Sequence, residues 1–379
     1  MRIFQKPDPG GSIMKLHGGP SIHIPDYDHS QTIAHQSPHL LPDGIYSVPG
    51  QYIWDSWIFE LDGVLHRYAL SASIEYTPNE RHQHAFIRHA ISSDGGRSWQ
   101  DMGPTIMANQ GEVWPDHVIW TSSILARSRE GRQEFLMLVT GRSRKEGWKQ
   151  RIGISRSLNG FNFCPPEMIL SPSETLNYDI SDDDGIIMAW RDPNLLQDPQ
   201  TGRWHMFFSA KKKDPAKGTV PTVGHAIATD DGLSHWELQP ALDLPNYYHQ
   251  LEVPYMIHNK GRYYLFVSTQ LHPEEPDNEE KEAVYRGYVA DSLTGPWKNL
   301  YGDTDWIYGH KIYAPTVFKY PGEDRYAAVA FFSEDTPYPL TGTPIVPVDW
   351  EGDTPRFAFE QILEPCLTPI GPDAGGTTP

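Results

Sequence analysis

Five times along the chain, a short run of polar, aromatic and apolar residues follows a charged turn and ends at a small side chain. The copies are GVLHRYALSAS (63–73), GRQEFLMLVTG (131–141), GRWHMFFSA (202–210), GRYYLFVST (261–269) and EDRYAAVAFFS (323–333). Each is preceded by a second short apolar strand, at 54–60, 118–126, 191–198, 252–259 and 312–320. Four are followed by a third strand and a turn that closes on an aromatic residue, at 90–99, 154–163, 226–236 and 288–297. The repeat is roughly 60–70 residues, longer than the ~40–50 of a common four-stranded blade, which leaves room for long loops. Asp-Gly and Asn-Gly pairs in the turns accept the positive φ that tight antiparallel hairpins need. Repeated antiparallel units with scant helical periodicity predict an all-β chain, a five-bladed β-propeller. A β-sandwich whose strands resemble one another by chance is the alternative, because aromatic and β-branched residues suit any strand. The propeller is expected over 46–370, with a Pro-, His- and Gly-containing arm over 1–45 packed on the blades and a disordered tail over 371–379.

Charge and composition narrow the partners. The net charge of −18 comes without any Lys/Arg cluster, so an anionic nucleic acid or membrane surface is repelled and a neutral substrate is expected. No run approaches the length of a membrane span, and the N-terminus lacks the apolar core of a secretory signal, so the chain reads as cytoplasmic. Cys164 and Cys366 are too few for a disulfide framework and show no zinc spacing. Oligomeric state leaves no mark in the sequence.

In a propeller the first strand of each blade lines a central channel. The starts of three first strands carry an acid: Asp55 in WDSW, Asp192 in WRDP and Glu252 in LEVP, which the repeat places at equivalent points. Solvated acids belong in loops, not beside Trp54, Trp57, Trp190 and Pro254 in apolar segments. Paired carboxylates suit glycoside hydrolysis, in which one protonates the leaving oxygen and the other attacks the anomeric carbon or activates water. A third can stabilise the developing positive charge, and the 12 Trp and 19 Tyr offer faces for a sugar ring. The structural alternative is a buried ion pair, which Arg191 next to Asp192 suggests most directly.

These segments resemble glycoside hydrolase family 68, the levansucrases, inulosucrases and β-fructofuranosidases. YIWDSW (52–57) is similar to that family's VWDSWP motif, VIWTSS (118–123) to EWSGS, AWRDPNLLQDPQTGRWHMFF (189–208) to its RDP stretch, QLEVP (250–254) to ERP, and YGHKIYAP (308–315) to its YSH segment. The resemblance implies a retaining mechanism with Asp55 as nucleophile, Asp192 as transition-state stabiliser and Glu252 as general acid and base. It further implies a fructosyl subsite shaped by Trp54, Trp120, Thr121, Arg191 and Gln250, with His310 at the rim. Val253 stands where that family carries Arg, and EVP is closer to families 32 and 43, although the WMNDPNG signature of family 32 is missing. A divergent or sister member of the furanosidase propellers (families 32, 43 and 68) fits these departures. Two other functions remain open: a family 43-like arabinofuranosidase or xylosidase with inverting geometry, and a carbohydrate-binding propeller without catalysis.

No cofactor is expected. SDDDG (181–185) offers oxygen ligands for a structural calcium but lacks the spacing and terminal Glu of a calcium loop, so it reads as a solvated loop. His82, His84 and His89 fall in a strand-like segment and read as surface histidines rather than a metal set. Serine-nucleophile, zinc-hydrolase and phosphate-loop motifs are absent.

Overall fold

A computed structural model of the chain describes residues 41–181, 188–216, 218–245, 250–270, 285–301, 311–320, 323–334 and 336–362. They form five four-stranded antiparallel sheets, each a meander in chain order. Blade 1 comprises β1 (Gln51–Leu61), β2 (Val64–Ser73), β3 (Phe86–Ser92) and β4 (Gln100–Ile106), and blade 2 comprises β5 (Val118–Arg129), β6 (Arg132–Arg142), β7 (Gln150–Ser157) and β8 (Glu167–Leu170). Blade 3 is β9 (Trp190–Gln197), β10 (Trp204–Asp214), β11 (Gly218–Ala228) and β12 (Trp236–Gln239). Blade 4 is β13 (Gln250–Asn259), β14 (Arg262–Gln270), β15 (Tyr285–Ala290) and β16 (Lys298–Asn299), and blade 5 is β17 (Ile312–Lys319), β18 (Tyr326–Phe332), β19 (Val346–Glu351) and β20 (Thr354–Phe357). Three of the first hairpins turn on Asp62-Gly63, Glu130-Gly131 and Lys260-Gly261, and all six residues have positive φ. That is the two-residue turn whose twist matches the strands it joins.

The first strands touch in a closed cycle, β1 to β5 to β9 to β13 to β17 and back to β1, so they line the axis of a five-bladed propeller. The core is accordingly a set of wedges between neighbouring blades. On β10, Met206 and Phe208 face blade 2 while Phe207 faces blade 4. Strand side chains alternate between faces, so a strand covered on both sides must be apolar throughout, which is why HMFFSA reads as a continuous run. The outer strands β4, β8, β12 and β16 bury at most one residue each.

Among the described residues no strand is exchanged between the first and last blades, and side chains and short backbone bridges join them. Arg67 on β2, fully buried, donates from Nη1 to the Thr343 carbonyl at 2.9 Å and from Nη2 to the Ala330 carbonyl at 3.3 Å, both in blade 5. A Cβ on Gly342 would lie 2.1 Å from Arg67 Nη2, so only glycine admits the guanidinium. Tyr46 pairs its backbone with Gly342, and the Ile53 N–H donates to the Leu340 carbonyl at 2.8 Å.

Of the arm expected over 1–45, residues 41–45 are described. Leu41 and Ile45 pack on the wedge between blades 4 and 5. The rest of that arm and the tail 371–379 lie outside the described residues, as do residues 182–185 of the SDDDG loop. Among the described residues, no helix is long and apolar enough to cross a membrane.

Candidate active site

Every innermost strand is interrupted at the same level by a β-bulge. The register skips between Trp54 and Ser56, Trp120 and Ser122, Glu252 and Tyr255, and Tyr313 and Thr316, and on β9 between Arg191 and Asn194. Asp55, Asp192, Val253 and Ala314 occupy the bulges with φ of +32°, +58°, +48° and +50°. Positive φ is strained for any residue with a Cβ, most of all for a β-branched valine, and such strain concentrates at functional sites. The bulges re-aim side chains toward the axis, which an unbroken strand would point alternately into the blade wedges.

This register corrects one expectation. Asp55 and Asp192 sit on the bulge, but Glu252 sits one residue before it, level with Trp54, Trp120, Arg191 and Tyr313. The three acids therefore come from two adjacent levels of the channel. The prolines in RDP, EVP and YAP mark the true alignment.

The acids converge, and each is held differently. Asp55 is 8% exposed and accepts a hydrogen bond on Oδ2 from the Thr121 hydroxyl across the blade 1–blade 2 boundary. Asp192 is 5% exposed; its Oδ2 accepts from Ser209 Oγ at 3.1 Å and from the Val253 N–H at 3.0 Å, and lies 3.5 Å from Arg191 Nε. Glu252, with its side chain 16% exposed, is the most open of the three. Its Oε1 accepts from Arg191 Nη2 at 2.7 Å, and its Oε2 accepts from the Tyr313 hydroxyl. Arg191 Nη2 also donates to Gln250 Oε1 at 2.9 Å.

Burial pushes the Asp55 carboxyl up to about 7, the Thr121 bond pulling it back and the charges of Asp192 and Glu252 adding to the rise. Burial likewise raises Asp192 to about 6 against the pull of Arg191. Burial opposes the charge on Arg191, yet Glu252 and Asp192 together raise its pKa above the usual guanidinium value.

Of the expected subsite residues, Thr121 bonds Asp55, Arg191 bonds Glu252 and Gln250, and Trp54 and Trp120 stand at the register of Glu252, whereas His310 lies outside the described residues. Two participants escaped the sequence reading. Tyr313 belongs to YAP, whose proline aligns it with Glu252 and gave a usable signal. His82, read as a surface residue on a strand, instead lies in a short 3-10 helix, Glu80–Gln83, between the edges of Trp54 and Trp120. Nor is His89 at the surface: it is 1% exposed, its Nε2 3.1 Å from His66 Nδ1. His84 is exposed and stacks on Tyr76. Among the described residues, no cluster of His, Cys, Asp and Glu is arranged to hold a metal ion.

A ring of strained bulges that directs three carboxylates and an arginine into a propeller channel is the architecture of a glycosidase-type propeller. Residues 75–341 match the glycosyl hydrolases family 32 N-terminal domain, and the chain belongs to that family. The match begins beyond WDSW, so the missing WMNDPNG signature falls outside it. No curated protein sequence matches the chain. Among solved structures, the fold is similar to inulosucrase from Halalkalicoccus jeotgali bound to kestose, with 21% identity, a TM-score of 0.64 and coverage of 86% of this chain and 93% of that one. It is similar to Bacillus subtilis levansucrase, with 15% identity, a TM-score of 0.61 and coverage of 88% and 90%. A thermostable family-43 glycoside hydrolase also shares the fold, with 13% identity, a TM-score of 0.57 and coverage of 81% and 93%. At these identities the likeness shows the fold and does not choose the sugar.

Proposed function

We propose that the chain is a retaining glycosidase or fructosyltransferase acting on a β-fructofuranosyl linkage, in sucrose, a fructooligosaccharide or a related fructoside. The observation that carries this reading is the unequal treatment of the three acids, which meet from two adjacent levels of the channel. Asp55 is buried and aimed by a single hydroxyl, as a nucleophile under an anomeric carbon must be. Glu252 is the most exposed and is oriented through both oxygens, which suits a group that exchanges protons with a leaving or entering hydroxyl. Asp192 is fixed through one oxygen by two hydrogen-bond donors and the adjacent Arg191 charge, so its carboxylate stays in place while positive charge builds on the sugar ring.

In the first step Asp55 attacks the anomeric carbon, the glycosidic C–O bond breaks, and Glu252 gives its proton to the departing oxygen. In the second, Glu252 takes a proton from water or from a sugar hydroxyl as that oxygen displaces Asp55. Water yields hydrolysis, and a sugar hydroxyl yields transfer. The family match and the three acids converging beside Trp54, Trp120 and Tyr313 support this assignment over a purely binding propeller.

The test is product release from sucrose, inulin- and levan-type oligosaccharides and aryl arabinofuranosides, with Asp55→Ala and Glu252→Ala in parallel. Fructose or longer fructans from the wild type alone, with the anomeric configuration retained, is the expected result. Release of arabinose only, or full activity in either variant, overturns the assignment.

A further inference from the structure

The acids lie near the starts of the innermost strands, and antiparallel pairing puts two other connections at that same end of the channel. These are the β2–β3 connection (74–85) of blade 1 and the β6–β7 connection (143–149) of blade 2. They meet through Arg142, the last residue of β6. Its guanidinium lies 4.7 Å from the Trp120 ring centre and 4.2 Å from that of Trp148. Its Nη2 donates to the Gly147 carbonyl at 2.7 Å, and its Nη1 donates to Gln83 Oε1 at 3.1 Å in the opposite loop.

Arg142 therefore fixes the Trp148 indole from one side. Trp148 is 36% exposed, the one tryptophan among the described large apolar residues left open to solvent, and its ring stands 6.2 Å from Trp120 at 39°. Leaving an indole in water forgoes a large burial gain, and a rigid open aromatic face beside a sugar channel suits the apolar face of a second sugar.

His82 faces this corner. Its ring meets Trp54 at 5.8 Å and Trp120 at 6.4 Å, both edge-on, and its carbonyl accepts from Trp120 Nε1 at 2.6 Å. Burial and the neighbouring charges of Arg81, Arg191 and Arg142 keep the imidazole neutral, with its pKa pulled down to about 3. A neutral imidazole presents one donor and one acceptor, the combination that pairs with sugar hydroxyls.

We propose that Trp148 and His82 form the subsite for the sugar on the leaving-group side, which in transfer becomes the acceptor, with Trp148 stacking on its ring and His82 bonding its hydroxyls. The assignment rests on the fructosyl reading above. Arg142 and Gln83 act through Trp148 and the loop and are positioning residues.

The experiment compares an oligosaccharide donor with β-fructofuranosyl fluoride, whose one-atom leaving group reaches no second subsite, in wild type, Trp148→Ala, Trp148→Phe, His82→Ala and His82→Gln. Melting temperatures report folding. For Trp148→Ala the ratio of kcat/KM for the oligosaccharide to that for the fluoride falls roughly tenfold or more, mainly through KM. Phe at 148 and Gln at 82 recover part of the loss, since they keep an aromatic face and a donor–acceptor pair. An unchanged ratio in the folded Trp148→Ala and His82→Ala variants overturns the subsite while leaving the fructosyl reading standing. A wild type that consumes neither donor overturns both.

Discussion

The guanidinium of Arg191 in blade 3 donates to Glu252 in blade 4 over 2.7 Å while its Nε stands 3.5 Å from Asp192, its own neighbour in the chain. One cation thus separates two carboxylates in a channel that excludes much of the water able to screen them. Arg191→Met leaves the two acids facing each other uncompensated. Breaking a buried ion pair costs about 3–5 kcal/mol, so the variant is expected to melt well below the wild type and to lose roughly a hundredfold or more in kcat/KM. A normal melting temperature with normal turnover would remove Arg191 from the site.

Asp55 makes stability depend on pH in a defined direction. Its folded pKa of about 7 exceeds the ordinary value of 3.8. Between those values the folded chain holds a proton that the unfolded chain has released, so stability declines as pH rises from about 4 to about 7 and the deficit stays constant above. Asp55→Asn removes the charge and is expected to be more stable than the wild type at pH 8, by on the order of 2–4 kcal/mol, with the gap closing by pH 4. Urea melts at the two pH values measure it.

The same displacement shapes catalysis. A nucleophile must be ionised, so kcat/KM is expected to fall as pH drops below about 7, where Asp55 takes up its proton. A pH–rate profile flat down to pH 5 would place the nucleophile elsewhere.

Tyr313 donates to the oxygen of Glu252 that Arg191 does not hold. Tyr313→Phe should lower kcat by roughly 10–100-fold on a sugar leaving group, which needs a proton, and much less on a fluoride, which needs little help. Equal loss on both donors would make the tyrosine a packing residue only.

Arg67 carries the ring closure. Arg67→Met leaves the Thr343 carbonyl without its Arg67 donor in a dry interface, at about 1–3 kcal/mol, while the Ala330 carbonyl keeps the Thr343 N–H at 2.9 Å. Chemical denaturation should show the loss, and hydrogen exchange should show it concentrated where blade 5 meets blade 1.

The sequence was informative where physics is local. Alternation and turn residues repeat in all five units and terminal aromatics in four, so the five-bladed propeller was legible, although the first strand, expected over 54–60, begins at Gln51. WDS, RDP and EVP marked the acids because an acid within an apolar strand start is locally anomalous. The register of Glu252 was misread because a one-residue bulge is defined by hydrogen bonds to the neighbouring strand, and the chain itself shows it only through Pro193, Pro254 and Pro315. In the fifth repeat β19 and β20 were not marked at all, since a long connection over 333–345 separates them from β18.

By itself, then, the sequence determined the blade count, the strand pattern and which residues are chemically conspicuous: Asp55, Asp192, Glu252 and Arg191. Tertiary structure alone decided which of them touch. Tyr313 reaches Glu252 from 61 positions away, Trp120 reaches the His82 carbonyl from 38, and Thr121 reaches Asp55 from 66. Closing the blades into a ring sets those distances, and no pattern within a single blade encodes the angle at which the next one packs. The pKa of Asp55 has the same origin, because neither its burial nor the two like charges beside it exist until the ring has formed.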